Sequence, residues 1–174
     1  MERDPHVLPI LGVLATPSVS ADEVVAACRR ELFDVALTSA VVPFDDTDYY
    51  RSEMGPDLKR FWCAAAATVG ADLLADMKTA SGRLEGRWRD EGKRRVNLDP
   101  GYVTPLQLVL ATTKTLPQAV YLRDGISAVV ELLYRDGVFA PMPWTYPDYG
   151  RAASAATFEP FRDYLLGLLR EAKK

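Results

Sequence analysis

The sequence predicts an α+β fold in which helices pack against a mainly antiparallel sheet. Apolar runs of strand length are interspersed with longer stretches of helical periodicity. Near the C-terminus, Asp124-Gly125 and Asp136-Gly137 separate three apolar runs, which is typical of β-hairpins. The length of 174 residues, with 48% hydrophobic and 26% charged residues, is that of one globular domain. We therefore expect a single-domain sandwich over residues 1–174.

The first predicted element is a buried strand over residues 6–15. This run is short, apolar and rich in β-branched residues, as buried strands are. Gly12 within it indicates that another part of the chain approaches the backbone closely, because glycine leaves room for such an approach.

A helix and a second strand follow. Ser20, with Glu23 three residues later, forms a capping-box pattern, so a helix begins there and continues to about Phe33. A strand is then predicted over residues 35–43. This β-α-β order favours a ferredoxin-like arrangement in the N-terminal half of the domain.

The acidic loop, residues 44–56 (FDDTDYYRSEMGP), contains a first candidate site. Carboxylates as close in sequence as those of Asp45, Asp46 and Asp48 repel one another and raise one another's pKa unless a cation lies among them. A Mg²⁺ or Ca²⁺ site is therefore one hypothesis. The spacing fits no EF-hand loop, and the alternative is an ordinary acidic surface loop.

The next part of the chain predicts a strand and then a long helix. Residues 58–69 are strand-like in their first half, whereas the alanine run over residues 64–67 is not typical of a strand. Residues 70–89 place large apolar side chains at helical spacing, which predicts an amphipathic helix that faces the core. These side chains are Leu73, Met77, Leu84 and Trp88.

The basic stretch, residues 92–114 (GKRRVNLDPGYVTPLQLVLATTK), contains the second candidate site. It opens with the cations Lys93, Arg94 and Arg95, and a short strand is predicted over residues 96–98. Residues 99–101, Asp-Pro-Gly, predict a turn, because proline presets φ and glycine tolerates a positive φ.

The second half of the basic stretch predicts a helix. Thr104 fits an N-cap, Pro105 the first helical position and Gln107 the third, and the helix is expected to end at residues 112–114. That end brings two threonine hydroxyls and the Lys114 ammonium together. One interpretation is a ligand site, and the alternative is a capped core helix behind a solvated basic loop.

The C-terminal third predicts a sheet edge covered by an irregular segment and a helix. Strands over residues 119–122, 126–134 and 138–140, joined by the two Asp-Gly pairs, predict a three-stranded antiparallel meander. The aromatic segment, residues 141–149 (PMPWTYPDY), has too many prolines for a sheet interior, so we expect it to pack across the sheet and to line a groove with its exposed rings. A final helix is expected to begin at Ser154 or Thr157.

Composition excludes several functional classes. A net charge of −3 argues against a protein that coats nucleic acid, although a local basic patch remains compatible with it. The sequence has no apolar run of about 18 residues and no signal-like N-terminus, so we expect a cytoplasmic protein without membrane insertion. Cys28 and Cys63 have no metal-binding spacing and are expected to be buried thiols. The single histidine, His6, excludes sites that need two histidines and argues against a Ser-His pair.

Three sequence blocks together resemble a bacterial family known as domain of unknown function 4416. The blocks are DYYRSEMGPDLKR, GKRRVNLDPGYVTPLQLVLATTK and PWTYPDY. The resemblance extends from the first strand to Tyr149 and implies a single domain without an assigned activity, so it transfers no catalytic residues. The string VNLDP is also similar to one in GPN-loop GTPases, but the chain contains no GxxxxGK[ST] phosphate-binding loop.

The leading functional hypothesis is that the chain binds a small anionic ligand, phosphorylated or nucleotide-like, with or without turnover. In this hypothesis cations bind the anionic group, and aromatic rings stack on a planar group. Either Asp99 or the acidic group of Asp45, Asp46 and Asp48 serves as general base or cation ligand. It requires the acidic loop, the basic stretch and the aromatic segment to meet in space. The candidate residues are Lys93, Arg94, Arg95, Asp99, Tyr102, Lys114, Trp144, Tyr146 and Tyr149.

Two alternatives use the same residues differently. In the first, the chain is a non-enzymatic protein–protein interaction module, and the aromatic segment with Trp144 is the contact face. In the second, basic and aromatic residues bind single-stranded RNA. The acidic net charge and the lack of an RNA-recognition signature make nucleic acid the less favoured partner.

Overall fold

The fold is given by a computed structural model that describes residues 6–172, apart from the side chains of residues 152–155. Ten strands in this part of the chain form one sheet, and all their pairings are antiparallel, so the predicted α+β class with a mainly antiparallel sheet is confirmed. The strands are β1 (His6–Ala15), β2 (Val35–Thr38), β3 (Val42–Pro43), β4 (Lys59–Ala65), β5 (Val69–Gly70), β6 (Val96–Val103), β7 (Gln107–Thr112), β8 (Val120–Arg123), β9 (Ile126–Arg135) and β10 (Val138–Pro141). The helices are α1 (Ala21–Glu31), α2 (Arg51–Met54), α3 (Leu74–Glu85), α4 (Pro147–Gly150) and α5 (Ala152–Glu171).

The sheet has the order β10-β9-β7-β6-β1-β4-β2, with β3 beside β4, β5 beside β1 and β8 beside β9. Helices cover both of its faces. On β1, Leu11 and Val13 pack with α1 and α3, whereas Leu8 and Ile10 on the other side of the strand pack with α5. We call these two sides the α1/α3 face and the α5 face. No helix in residues 6–172 is both long and apolar enough to span a membrane.

Several local predictions in the first half are confirmed. Strand β1 has the predicted limits, and the Ser20 side chain accepts a hydrogen bond from the Glu23 N–H at the start of α1. The predicted strand over residues 35–43 is divided into β2 and β3, which pair with the same strand β4. Cys28 and Cys63 are buried free thiols, as expected.

The predicted turn at residues 99–101 is wrong, because β6 runs through it and pairs with β1 at all three positions. The Leu98 N–H points away from β1 toward Glu85, and the Pro100 nitrogen, two residues later in the strand, faces the same edge of β6. Strand β7 pairs along this edge only from Gly101 onward, so the missing N–H of Pro100 costs no strand hydrogen bond. Gly101 allows β7 to approach, since a Cβ there would lie 2.3 Å from the Val109 carbonyl oxygen.

The predicted helix from Pro105 is also wrong, because Gln107–Thr112 forms strand β7 between β6 and β9. Thr104 does accept hydrogen bonds from the Leu106 and Gln107 N–H groups, at 3.1 and 2.8 Å, but it does so in the turn between two strands. The side chains from Leu108 to Ala111 are all buried, and an apolar run of this length suits a buried strand as well as a helix.

Both Asp-Gly pairs form the predicted hairpin turns, with φ of 54° and 74° at Asp124 and Gly125. The three strands do not form a meander, because β7 pairs along one edge of β9, and β8 and β10 therefore lie end to end on its other edge. Helix α5 begins at Ala152, so the predicted start at Ser154 or Thr157 is wrong.

Candidate functional site

The acidic loop, the basic stretch and the aromatic segment meet in the folded chain. Arg94 of the basic stretch binds Glu53 of the acidic loop. The Lys114 ammonium, also in the basic stretch, lies over the rings of Tyr49 and Tyr146, which belong to the other two segments. The convergence that the ligand-binding hypothesis requires is therefore present.

Arg60 on β4 is the centre of a buried polar cluster on the α5 face. Its side chain is only 5% exposed, and its Nε and Nη2 lie 2.7 and 2.6 Å from Oδ2 of Asp148, which is 4% exposed. Its Nη1 donates to Oδ2 of Asp99 at 3.2 Å. Burial opposes the charge on Arg60, but Tyr149 and the two carboxylates raise its pKa above the ordinary value. The guanidinium is therefore fully charged and fully paired.

A chain of hydrogen bonds extends this cluster from Asp99 to the acidic loop. Asn97 donates to Asp99 at 2.9 Å and accepts from Arg94 at 2.7 Å. Arg94 donates to both carboxylate oxygens of Glu53, at 2.8 and 2.7 Å, and this hydrogen bonding is the main reason why the pKa of Glu53 is lowered. Partial burial works against ionisation of Asp99, but Arg60 and Lys78 outweigh it and hold the pKa of its carboxyl below its usual value.

Helix α3 closes the edge of β6 that β7 leaves open. Glu85 accepts a hydrogen bond from the Leu98 N–H at 2.7 Å, and Lys78 donates to the Leu98 carbonyl at 3.4 Å. The Lys78 ammonium also lies 4.0 Å from Asp99. These two side chains satisfy strand groups that would otherwise lack partners, and they link α3 to the polar cluster.

Gly12 leaves the space that the aromatic segment uses on β1. A Cβ at this position would lie 2.2 Å from the Tyr149 hydroxyl oxygen and 3.3 Å from Trp62 Nε1. Both of these polar atoms are buried, and neither completes a hydrogen bond within the described residues. The close approach predicted for Gly12 is confirmed, and the group that approaches is the Tyr149 hydroxyl.

Lys114 has a different environment from the arginines. Its Nζ lies 4.6 Å from the ring centroid of Tyr49 and 5.6 Å from that of Tyr146. The side chain is exposed, and within residues 6–172 it makes no ion pair with a carboxylate. The ammonium is thus held by rings, and its hydrogen-bond donors remain open to a ligand.

Glu131 on β9 anchors the aromatic segment. Its carboxylate accepts a hydrogen bond from the Tyr146 N–H at 3.1 Å, and its main-chain oxygen accepts one from the Thr145 hydroxyl. The residue is only 2% exposed. Burial, with a smaller contribution from Asp148 and Asp99, raises the pKa of Glu131 to about 7.

The other predicted ligand contacts are distributed unevenly around these groups. Arg95 pairs with Asp90 outside the cluster, and Lys93 lies in the same exposed turn. Tyr102 packs on the α1/α3 face with the core around Leu74, so it does not face Lys114. Trp144 is partly exposed and donates its ring N–H to the Val130 carbonyl.

The three carboxylates of the metal hypothesis lie beside arginines. Asp45 and Asp46 are 3.6 and 2.9 Å from Arg151, and Asp48 is 3.3 Å from Arg51. In the described part of the chain no three His, Cys, Asp or Glu side chains are grouped closely enough to hold a metal ion.

Several residues of the site were not among the sequence-based candidates, including Tyr49, Arg60, Glu131 and Asp148. Arg60 follows Lys59 at the start of the strand KRFWCAA, and Glu131 lies among apolar residues in the middle of the strand ISAVVELLYR. A charge at such a position indicates a buried, paired group when the strand is covered on both faces. Double coverage became evident only from the positions of the helices.

Two grooves lie beside the site rather than in it. One of about 640 Å³ is lined by residues 41–45, 47–48, 51 and 55–59, and one of about 220 Å³ lies between α1 and α3 over Leu11 and Pro100. Neither is lined by Arg60 or Lys114.

Comparison with known proteins gives one match. The sequence profile of a family described as "Domain of unknown function (DUF4416)" matches residues 5–164. No curated protein and no solved structure matches the chain. Because the profile covers most of the sequence, the chain belongs to the DUF4416 family.

Proposed function

We propose that the chain binds a small anionic molecule, phosphorylated or nucleotide-like, at Lys114. The observation that supports this most directly is an exposed ammonium held between the rings of Tyr49 and Tyr146, without a carboxylate partner in residues 6–172. An ammonium has three donors and no acceptor, so an oxyanion is its natural ligand. The exposed tyrosine ring offers a surface on which a planar group stacks.

The arginines contribute to this proposal indirectly. Arg94 already makes two charge-assisted hydrogen bonds to Glu53, and Arg60 is enclosed by Asp99 and Asp148. An anion would have to displace these carboxylates, which costs more than binding an ammonium that no carboxylate occupies. We therefore assign the anion contact to Lys114 and a supporting role to the buried cluster.

A thermal-shift screen tests this proposal. Nucleotides, phosphorylated metabolites, sulfate and divalent cations are each added to the wild-type protein, to Lys114→Met and to Lys93→Met. A ligand at 100 times its dissociation constant stabilises by about 2.7 kcal/mol, which is a rise of a few degrees for a domain of this size. We expect this rise in the wild type and in Lys93→Met, and its loss in Lys114→Met. A divalent cation that stabilises the protein alone would instead support the site at Asp45, Asp46 and Asp48.

A second candidate function is protein–protein interaction. Strand β8 supports it, because Val120 and Tyr121 are 68% and 66% exposed on a short strand that, within residues 6–172, pairs with β9 alone. We expect concentration-dependent self-association that Tyr121→Arg abolishes and that Trp144→Ala leaves unchanged. If analytical ultracentrifugation shows that the wild-type protein is strictly monomeric at high concentration, self-association is excluded as its function.

We also propose that the N-terminal half is ferredoxin-like. The support is the strand order β6-β1-β4-β2 with antiparallel neighbours, together with α1 and α3 on one face. A solved structure whose N-terminal half has a different strand order would refute this assignment.

A further inference from the structure

Trp144, Thr145 and Tyr146 of the aromatic segment each donate a hydrogen bond to β9, and one of the acceptors is a group that can change its charge. Trp144 Nε1 donates to the Val130 carbonyl at 2.8 Å, and the Thr145 hydroxyl donates to the main-chain oxygen of Glu131. The third bond runs from the Tyr146 N–H to the Glu131 carboxylate at 3.1 Å. Tyr146 therefore joins Glu131 to Lys114, since its backbone binds the carboxylate and its ring contacts the ammonium.

The surroundings of Glu131 oppose a further negative charge. Asp148 from α4 and Asp99 from β6 both disfavour its ionisation, and the Tyr146 phenol is a further titratable group near it. Arg60 is already paired with the two aspartates. An anion at Lys114 would add a further negative charge to a region in which Glu131 is the carboxyl most easily protonated.

We propose that binding of an anion at Lys114 is coupled to uptake of a proton by Glu131. This inference rests on the proposed function. Protonation removes the negative charge that an incoming anion would meet across Tyr146, and the neutral carboxyl still accepts a hydrogen bond from the Tyr146 N–H through its carbonyl oxygen. Because burial raises the pKa of Glu131 to about 7, the free protein has this group partly ionised near neutral pH.

The test uses sulfate, which does not itself titrate between pH 6 and 8. Its dissociation constant is measured at pH 6, 7 and 8 for Glu131→Gln, for Lys114→Met and for the matched control Glu171→Gln, whose side chain is exposed at the end of α5. All proteins, including the reference, have the background substitution His6→Asn, so that none of them contains a histidine.

We expect sulfate binding to the reference protein and to Glu171→Gln to weaken about tenfold from pH 6 to pH 8, since the protonated fraction of a group with a pKa near 7 falls about tenfold over this range. In Glu131→Gln the dissociation constant should stay within about twofold. Should this variant fail to fold, calorimetry of the reference protein in two buffers of different ionisation enthalpy measures proton uptake directly, and about half a proton is expected at pH 7.

The possible failures are distinguishable. Sulfate binding that needs Lys114 but has the same pH dependence in the reference protein and in Glu131→Gln, or that takes up no proton, overturns the coupling and leaves the proposed function standing. If the reference protein binds no sulfate, or if Lys114→Met binds it equally well, the site at Lys114 and the coupling are both refuted.

Discussion

Glu131 makes the stability of the fold depend on pH, and the substitution Glu131→Gln should remove this dependence. The folded chain raises the pKa of Glu131 from 4.5 to about 7, mainly because the carboxyl is buried. Between these values the folded state holds a proton that the unfolded state has released. The contribution of Glu131 to the unfolding free energy therefore falls as pH rises from 4.5 to 7 and is constant above that range. At 1.36 kcal/mol per pKa unit, the fall is about 3 kcal/mol.

The assay is urea unfolding at pH 5, 6, 7 and 8 of the wild type, Glu131→Gln and Glu171→Gln. A glutamine at position 131 still offers a carbonyl oxygen to the Tyr146 N–H, and it does not titrate. From pH 5 to pH 8 the wild type should therefore lose about 2 to 3 kcal/mol of unfolding free energy relative to Glu131→Gln. Glu171→Gln should run parallel to the wild type. Parallel curves for all three proteins would refute the reasoning about burial.

Two further predictions concern the packing of the cluster. Gly12→Ala should destabilise the fold by about 1–3 kcal/mol, because the added methyl group meets the Tyr149 hydroxyl. Adding Tyr149→Phe should recover most of the lost melting temperature. A double variant that is no more stable than Gly12→Ala alone would contradict this prediction. Arg60→Met should lower the unfolding free energy by about 3–5 kcal/mol, measured by urea unfolding, because it leaves the buried Asp148 without its cation and removes one partner of Asp99. Arg51→Met, which removes an exposed ion pair, should lower the unfolding free energy by less than about 1 kcal/mol. Equal losses of unfolding free energy in Arg60→Met and Arg51→Met would show that the buried ion pairs of Arg60 stabilise the fold no more than an exposed pair does.

Local patterns predicted the elements whose signals have a single structural meaning. The Asp-Gly pairs require positive φ at consecutive residues, which only a few turns accept, and both formed hairpins. The capping pattern at Ser20 likewise marked the start of α1. The same type of pattern failed at Thr104, because a threonine hydroxyl that accepts N–H groups two and three residues later suits a hairpin turn as well as a helix start.

The site could be predicted only in part, because its central contacts join distant positions. Arg60 and Asp148 are 88 residues apart, and nothing in either strand or segment alone indicates the pairing. The aromatic segment and Lys114 were identified because prolines, rings and a polar end are visible locally. Arg94 and Arg95 attracted attention as adjacent cations, but Glu53 of the acidic loop binds Arg94, and Asp90, five residues before Arg95, binds Arg95.

The dissociation constant of the most strongly stabilising phosphorylated compound, measured for the wild type, Lys114→Met and Lys93→Met, tests the central claim most directly. Loss of one charge-assisted contact is worth about 1.5–3 kcal/mol, so Lys114→Met should weaken binding by about ten- to a hundredfold. Lys93→Met, which removes an exposed cation from the basic turn, should bind as the wild type does. Equal affinity in the wild type and Lys114→Met, or a loss confined to Lys93→Met, would contradict the account and place the anion elsewhere on the chain.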